Sequence, residues 1–242
     1  MDSKENLFYY GRDFNTVEIN FTYYSLPNPY IFLNMVKKAK PGFLFSIKAH
    51  SSMTHHRNFT DQQRQQFFQS LKPLQDNSML GCLLFQFPYS FKFNKKNAQY
   101  LEEIGEKFGE YPSVIEFRHN SWLREEVFNL MAKSNLAFCN VDEPGLPGLL
   151  PPTEINVGDI SYIRFHGRNR KNWWNHEQAY QRYDYAYTLK ELSEWIPRIE
   201  HMASKPGKIF IYFNNHYRAK AVKSARVLAG LLKESHIITS QN

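Results

Sequence analysis

The chain has 242 residues, of which 42% are hydrophobic and 16% are aromatic, and this composition excludes a disordered protein. Its formal net charge of +7 favours anionic partners, either small phosphorylated molecules or nucleic acid. The two cysteines, Cys82 and Cys139, fall in apolar runs, which indicates buried, reduced thiols and a cytoplasmic protein rather than a disulfide-bonded one.

Short apolar runs alternate with amphipathic runs along the chain, and they predict strands and helices in turn. In chain order these are a helix end over 4–14, a strand over 16–20, a helix over 27–38, a strand over 43–48, a helix over 61–74, a strand over 81–87, a helix over 96–108, a strand over 113–118, a helix over 122–132, strands over 136–142 and 160–166, a helix over 189–202, a strand over 208–213 and a helix over 219–233. Thr60 is the predicted N-cap of the helix that begins at Asp61. A Pro/Gly-rich loop covers 143–158, and a long, aromatic and basic loop over 168–188 is interpreted as functional.

Seven strands that alternate with helices predict a parallel sheet covered by helices, either closed into a barrel or doubly wound. No GxGxxG motif follows any strand, which argues against a dinucleotide-binding sheet. We find no linker of domain-boundary character and therefore expect a single domain over 1–242. No apolar run approaches the roughly 18 residues of a membrane span, so no membrane contact and no signal peptide are expected.

Polar side chains share one face at the C-terminal ends of the strands. In the strand over 113–118, Ile115 and Phe117 point to one face, and Glu116 and Arg118 point to the other. A doubly wound sheet has both faces covered, which leaves this polar face unexplained, whereas barrel active sites collect at the C-terminal strand ends. The pattern therefore favours a TIM-like barrel whose rim gathers Glu18, Lys48, Gln86, Glu116, Arg118, Asp142, Arg164 and His166.

The first functional hypothesis is an enzyme, of the hydrolase or lyase type, that acts on an anionic substrate. Arginine and lysine side chains would hold its phosphate or carboxylate, and a carboxylate and an imidazole would exchange protons. The candidate catalytic residues are Glu18, Glu116, Asp142 and His166. The candidate substrate-binding residues are Asn20, Lys48, His55, Gln86, Arg118, His119, Arg164, Arg168, Trp173, Tyr183, Asn214 and Asn215.

No cofactor is expected, although a divalent metal bound by Glu18, Glu116, Asp142 and His166 is an alternative. Carboxylate-rich rims suit magnesium or manganese, and an added histidine suits zinc. The sequence has no tight ligand motif such as HExxH, and the neighbouring Arg and Lys side chains argue against a cation.

Two further hypotheses stay open. The stretch over 168–174, followed by Arg182 and Tyr183, interleaves cations with aromatic rings, and this composition is typical of nucleic-acid binding or of a lid over a small ligand. The third hypothesis is a non-catalytic module that binds a small anion.

Several motifs also resemble those of the YecE-like family (domain of unknown function 72). They are Phe14–Asn20 (FNTVEIN), Thr22–Pro27 (TYYSLP), Phe45–Ala49 (FSIKA), Leu84–Pro88 (LFQFP), Ile115–His119 (IEFRH), Tyr162–Arg168 (YIRFHGR) and Tyr212–Tyr217 (YFNNHY). The resemblance covers essentially the whole chain and implies a TIM-like α/β barrel, but it does not supply a reaction.

The chain departs from the family pattern at its beginning. The family starts with a strand and a Gly-Thr-Ser-Gly-Trp-like loop ahead of the first helix, whereas here Met1 comes just before that helix. We therefore expect that the first strand is missing and that seven strands remain. Exposed strand edges invite pairing with another chain, so an oligomer formed through the open barrel edge is expected as an alternative to a monomer.

Overall fold

The structure of the protein is a computed structural model that describes residues 6–205 and 207–237. In this part of the chain the strands are β1 (Thr16–Ile19), β2 (Leu44–Lys48), β3 (Leu80–Gln86), β4 (Ser113–Glu116), β5 (Leu136–Asp142), β6 (Ile160–Phe165) and β7 (Lys208–Phe213). The helices are α1 (Asn6–Asp13), α2 (Pro29–Lys38), α3 (Ser51–Thr54), α4 (Asp61–Asp76), α5 (Lys95–Phe108), α6 (Glu125–Lys133), α7 (Ala179–Arg182), α8 (Leu189–Ser193), α9 (Ile196–Ala203) and α10 (Lys220–Glu234).

The strands follow their sequence order in the sheet, from β1 to β7. The pairings of β1 with β2, β2 with β3, β5 with β6 and β6 with β7 are parallel, with Val17 opposite Phe45 and Ile163 opposite Ile211. Parallel neighbours need a crossover, and helices supply most of these crossovers here. Sequential parallel strands joined by helices have the connectivity of a TIM-like (β/α) barrel, which confirms the predicted fold class.

The chain forms two compact units. Among the described residues, unit 1 comprises 6–88 and Phe108–Ile115, and unit 2 comprises Tyr89–Lys107, 116–205 and 207–237. The prediction of one domain over 1–242 stays a prediction.

The core of unit 1 lies between β1 to β3 and the helices α2 and α4. Phe32 of α2, Phe67 and Leu71 of α4, and Phe45 and Ile47 of β2 are fully buried there. In β2 the apolar Phe45 and Ile47 alternate with more polar side chains, as the strand period requires.

The cap of α4 is formed as its sequence predicts. The Thr60 hydroxyl accepts a hydrogen bond from the Gln63 backbone N–H (3.2 Å), and Gln63 Oε1 accepts one from the Thr60 N–H (3.0 Å). Replacing Thr60 by alanine is expected to lower the free energy of unfolding by about 1 kcal/mol, because a helix-end donor loses its partner. Urea denaturation measures this loss. Thr60→Ser keeps the hydroxyl and should behave as the wild type; equal losses for both variants would contradict the capping role.

The core of unit 2 is rich in aromatic side chains. Trp122 lies between Phe91 and Phe117, with ring centroids 5.0 and 4.4 Å away and with nearly parallel planes. Trp195 packs on Phe165 of β6 in a buried cluster with residues of α8, α9 and α10. These contacts fix the helices against β6, from whose end site residues project.

Several predicted elements differ from the structure: the strand predicted over 113–118 ends at Glu116, and the helix predicted over 122–132 begins at Glu125. The single helix predicted over 189–202 is two helices, α8 and α9, because Pro197 stands in the first turn of α9, where its missing N–H is tolerated. The stretch between β2 and α4, for which no element is predicted, contains the short helix α3, which His50 caps by accepting from the Ser52 N–H (3.2 Å). The long loop over 168–188 is irregular apart from α7.

Both cysteines are free and buried, as predicted. In the ranges 6–205 and 207–237, no helix is long and apolar enough to cross a membrane.

Candidate functional site

Four of the predicted site residues meet in unit 2 at the C-terminal ends of β4 and β6. Glu116 is the last residue of β4, Arg164 lies in β6, and His166 follows that strand directly. The Glu116 carboxylate lies 2.5 Å from Nε of Arg118 through Oε1 and 2.5 Å from Nη1 of Arg164 through Oε2. All four side chains are almost completely buried, and the Glu116 carboxylate compensates part of the positive charge of the two arginines.

Backbone hydrogen bonds continue past the strand ends and fix the residues that follow. The His166 N–H donates to the Asp142 carbonyl, and the Asn214 N–H donates to the Phe165 carbonyl, each at 2.8 Å. The side chains of His166 and Asn214 therefore project from backbone that continues the hydrogen bonding of the strands.

The hydrogen bonds of His166 define its tautomer. Its Nδ1 faces Nη2 of Arg118 (3.4 Å) and Nδ2 of Asn214 (3.3 Å), and both of these groups can only donate. Nδ1 must therefore be the acceptor, and Nε2 carries the proton that it donates to Oε1 of Glu116 (3.2 Å). Burial, followed by the charge of Arg118, lowers the pKa of His166 to about 3, so the ring is neutral at pH 7.

Glu116 is ionised in this cluster. Burial raises the pKa of its carboxyl, but the nearby charges of Arg118 and Arg164 and the hydrogen bond from His166 outweigh burial and hold this pKa well below its usual range. A carboxylate with such a low pKa is a weak base, because it returns an abstracted proton readily. Each oxygen of Glu116 contacts one guanidinium group, so the carboxylate is placed to bind both arginines.

Glu143 is a site residue that the sequence analysis missed. Its buried carboxyl accepts hydrogen bonds from Nη1 of Arg118 (3.3 Å) through Oε2 and from the Leu150 N–H (3.1 Å) through Oε1. Burial raises its pKa to about 7, since it outweighs the opposing effects of Arg118 and Leu150. The available signal was its position directly after the strand that ends at Asp142, where barrel sites collect. Glu116, Arg118, Glu143, Arg164 and His166 together are named the arginine–glutamate cluster.

A second network is centred on the buried Asp142. Its carboxylate accepts hydrogen bonds from Nε and Nη2 of Arg168, from the hydroxyl of Tyr187 (2.7 Å) and from Nε1 of Trp195 (2.7 Å). Arg168 also forms ion pairs with Glu194 and Glu191. Because these donors already occupy both oxygens of Asp142, the geometry supports a positioning role for Asp142 and Arg168 beside the cluster, and their predicted roles in catalysis and substrate binding stay predictions.

Gly167 joins the two networks and needs to be glycine. Its φ of +90° lies in the left-handed region, and an added Cβ would lie 2.6 Å from Cβ of Tyr185. Its N–H donates to the hydroxyl of Tyr187 (2.8 Å), which itself donates to Asp142.

Replacing Gly167 by alanine is expected to lower the free energy of unfolding by about 1–3 kcal/mol, because the new Cβ is strained and overlaps Tyr185. Gly230 of α10 is the matched control, since an added methyl group there would meet nothing within 4 Å and its φ is ordinary. Gly230→Ala should stabilise the protein by about 0.5–1 kcal/mol. Thermal unfolding of both variants tests this pair, and a neutral Gly167→Ala would contradict the crowding at Tyr185.

The loop over 168–188 brings aromatic rings to the cluster. Tyr183 is half-buried, and its ring centroid lies 6.0 Å from those of His166 and Trp173. Trp173 is buried, and Arg182 donates to its carbonyl (2.8 Å). Of the predicted residues in this loop, Tyr183 therefore contacts the cluster, whereas Trp173 packs inside the loop.

The other predicted residues of unit 2 lie at the edges of the cluster or cap local structure. His119 accepts from the Ser121 N–H (3.1 Å) through Nδ1, and its ring packs against Tyr89 (5.0 Å between centroids). Nδ2 of the buried Asn215 donates to the Tyr185 carbonyl (2.8 Å), while its Oδ1 has no hydrogen-bond partner in the part of the chain that the structure describes.

Unit 1 holds its own predicted site residues at the ends of β1 to β3. Nζ of Lys48 donates to Oε1 of Gln86 (2.8 Å) and lies 4.6 Å from the ring centroid of Tyr23. The ring of Tyr23 also packs against His55 (4.9 Å). In the same unit, Nδ2 of Asn20 donates to the Glu18 carboxylate (3.0 Å). Tyr23 was not among the predicted site residues, although it lies within the TYYSLP motif.

Metal binding by the suggested carboxylates and His166 stays a prediction. Among the described residues, no group of three or more His, Cys, Asp or Glu side chains is arranged to hold a metal ion. Of the residues suggested as ligands, Glu116 and Asp142 bind guanidinium groups instead.

Comparisons with known proteins support the resemblance. The family model described as "Protein of unknown function DUF72" matches residues 1–242. The UPF0759 protein YunF of Bacillus subtilis is 27% identical over 246 residues, which cover 95% of this chain and 87% of that protein. The crystal structure of a DUF72 family protein of Thermotoga maritima is 35% identical, with a TM-score of 0.87 over 96% of this chain and 91% of that one.

A DUF72 family protein of Enterococcus faecalis has the same fold, with a TM-score of 0.88 at 24% identity over 97% of this chain and 89% of that one. The family match spans every residue of the sequence, and the seven motifs from FNTVEIN to YFNNHY lie within it. The chain therefore belongs to the DUF72 family of proteins of unknown function.

Proposed function

We propose that the protein is an enzyme that binds a small phosphate- or carboxylate-bearing substrate at the arginine–glutamate cluster and transfers a proton there. Three properties support this proposal: the surplus cationic charge of the cluster, one carboxyl whose pKa is close to neutrality, and the position at the C-terminal strand ends. Barrel enzymes place their active sites at that end.

The observation that carries the proposal is the charge of the cluster. Arg118 and Arg164 contribute two positive charges, Glu116 contributes one negative charge, and His166 is neutral. The pKa of about 7 for Glu143 leaves the cluster with a net charge of +1 when this carboxyl is protonated and 0 when it is ionised. A buried, uncompensated cation is costly, so the protonated cluster favours the binding of an anion.

Arg118 is the residue best placed to meet that anion. Its side chain is 9% exposed, whereas those of Arg164, Glu116 and His166 are 2% exposed or less. Nη1 and Nη2 each have two N–H groups, and in the described part of the chain each nitrogen donates one hydrogen bond, to Glu143 and to His166. The second N–H of each nitrogen is left to grip a phosphate or a carboxylate in the two-pronged manner typical of arginine.

The division of chemical roles follows from the pKa values. Glu143 has the pKa of about 7 that suits proton exchange at neutral pH, whereas the low pKa of Glu116 suits a permanent counter-ion. The guanidinium of Arg118 would stabilise negative charge that develops on the substrate. His166 would position Arg118 and Glu116 through its two ring nitrogens. These roles fit a hydrolase or a lyase.

Nucleic-acid binding has less support, because the arginines of the loop over 168–188 contact the protein itself. Arg168 binds Asp142, Arg170 donates to the Gly145 carbonyl (2.8 Å) and Arg182 lies over Trp173. The exposed Trp174 is the feature that favours this alternative, since exposed rings can stack on bases. A salt-dependent mobility shift with oligonucleotides would support it, and no shift at low salt would exclude it.

Binding to a panel of phosphate esters and carboxylates, measured by calorimetry, tests the proposal. Arg118→Gln is expected to weaken binding at least about 30-fold, because a buried charge contact is lost. The exposed Arg124 is the matched control, and Arg124→Gln should bind as the wild type. Any ligand that binds is then incubated with the protein and followed by NMR. Conversion supports an enzyme, binding without conversion supports the non-catalytic module, and no binding contradicts the anion site.

The cytoplasmic location and an oligomer formed through strand edges also stay proposals. Two buried, free thiols support the first. Size-exclusion chromatography with light scattering tests the second.

A further inference from the structure

We propose that an anion bound at Arg118 drives a proton onto Glu143, so that Glu143 enters the substrate complex as the general acid. This inference rests on the proposed function, because it needs an anion at the arginine–glutamate cluster. It goes further in stating in which protonation state the enzyme begins its reaction and which residue supplies the proton.

The contacts of Glu143 make its charge depend on Arg118. Its side chain is fully buried, and its two oxygens accept from Arg118 (3.3 Å) and from the neutral N–H of Leu150 (3.1 Å). Arg118 is therefore the cation in direct contact with this carboxylate. A change that weakens this contact also destabilises the ionised form of Glu143.

The remaining groups of the cluster do not stabilise the ionised form of Glu143 in place of Arg118. Glu116 repels a second carboxylate, and it already engages Arg164 and Nε of Arg118. From the end of β6, His166 is neutral and accepts from Arg118. Tyr183, in the loop over 168–188, contributes to raising the pKa of Arg118. No further cation of the cluster is directed at Glu143.

A bound anion would share the positive charge of Arg118 with Glu143, because it takes the second N–H of Nη1 beside the one that Glu143 accepts. Glu116, Glu143 and the ligand would then place three negative charges around one guanidinium. The least costly relief is transfer of a proton from water to the Glu143 carboxylate, which forms an O–H bond beside the ligand and restores the charge balance. In turnover this O–H bond breaks as the proton forms a bond to the leaving atom of the substrate, and the carboxylate takes its next proton from solvent when the next anion binds.

The coupling is reciprocal by thermodynamic linkage. If the anion raises the pKa of Glu143, then deprotonation of Glu143 must lower the affinity of the protein for the anion. Affinity should therefore fall about tenfold for each pH unit above about pH 7, and it should level off at lower pH, where Glu143 is already protonated.

Calorimetry with sulfate, in buffers of different ionisation enthalpy, counts the protons taken up on binding. Sulfate is the probe because it does not titrate between pH 5 and 8. The wild-type protein is expected to take up roughly one proton per sulfate at pH 8 and close to none at pH 5.5. Glu143→Gln should bind sulfate at both pH values without proton uptake. Glu126→Gln, at an exposed position of the same unit, is the control and should behave as the wild type.

The outcomes separate the two proposals. Sulfate binding without proton uptake at pH 8, or uptake that persists in Glu143→Gln, overturns the coupling and leaves the anion site intact. If neither sulfate nor acetate binds the wild-type protein at any pH, the proposed function fails and the coupling fails with it. If Glu143→Gln does not fold, the wild-type affinity decides alone: a sulfate dissociation constant that does not change between pH 7 and 8.5 overturns the coupling.

Discussion

Replacing Glu116 by alanine is expected to lower the free energy of unfolding by about 3–5 kcal/mol. The substitution leaves the guanidinium groups of Arg118 and Arg164 buried without the carboxylate that lies 2.5 Å from each of them. It also removes the acceptor of the Nε2–H of His166. Urea denaturation at pH 7 measures the loss.

The control for this prediction is Glu126→Ala. Glu126 and its partner Arg124 are both more than half exposed, and their ion pair spans 3.4 Å. Because water solvates both charges, the loss of such a pair costs less than about 1 kcal/mol. Equal losses for Glu116→Ala and Glu126→Ala would show that water reaches the cluster and that its charges are not buried.

The second large effect is a change in the pH dependence of stability on replacement of Glu143 by glutamine. The folded-state pKa of Glu143 is raised to about 7, above the usual value of 4.5. Between these values the unfolded chain has released its proton while the folded protein keeps it, so this group makes the protein less stable as the pH rises. The wild-type stability, relative to Glu143→Gln, should therefore fall by about 3 kcal/mol from pH 4.5 to pH 7.

His166 opposes this trend and makes the comparison between variants necessary. Its folded-state pKa is lowered to about 3 from 6.5, so its contribution to stability is present above pH 6.5 and is lost as the pH falls towards 3. Over pH 4.5–6.5 the effects of His166 and Glu143 cancel in the wild type. Glu143→Gln should therefore show a stability that rises with pH across this window, as measured by denaturation at several pH values. Parallel profiles for the wild type and the variant would contradict the raised pKa.

The part of the site that the sequence predicted follows from the geometry of strands. Glu116 with Arg118, and Arg164 with His166, lie two residues apart in strand-like runs, which places each pair on one face. The C-terminal position of both pairs then brought them to the same end of parallel strands, and in unit 2 they lie in contact. Their roles as catalytic or binding groups stay predictions.

The rest depends on tertiary contacts that no local pattern encodes. Glu143 was assigned to an irregular loop, and its raised pKa arises from burial beside Arg118, which is 25 residues earlier in the chain. His166 was expected to exchange protons near neutral pH, but burial next to Arg118 keeps it neutral. The cations of the loop over 168–188 suggested nucleic-acid binding. In the structure, however, Arg168 donates a hydrogen bond to Asp142, which is 26 residues earlier in the chain.

The most direct test of the central claim is a titration of the Glu143 carboxyl by carbon-13 NMR, with the resonance assigned from its absence in Glu143→Gln. We expect a pKa near 7 in the free protein and a higher pKa when sulfate is present. A pKa near 4.5 that sulfate does not change would contradict the claim.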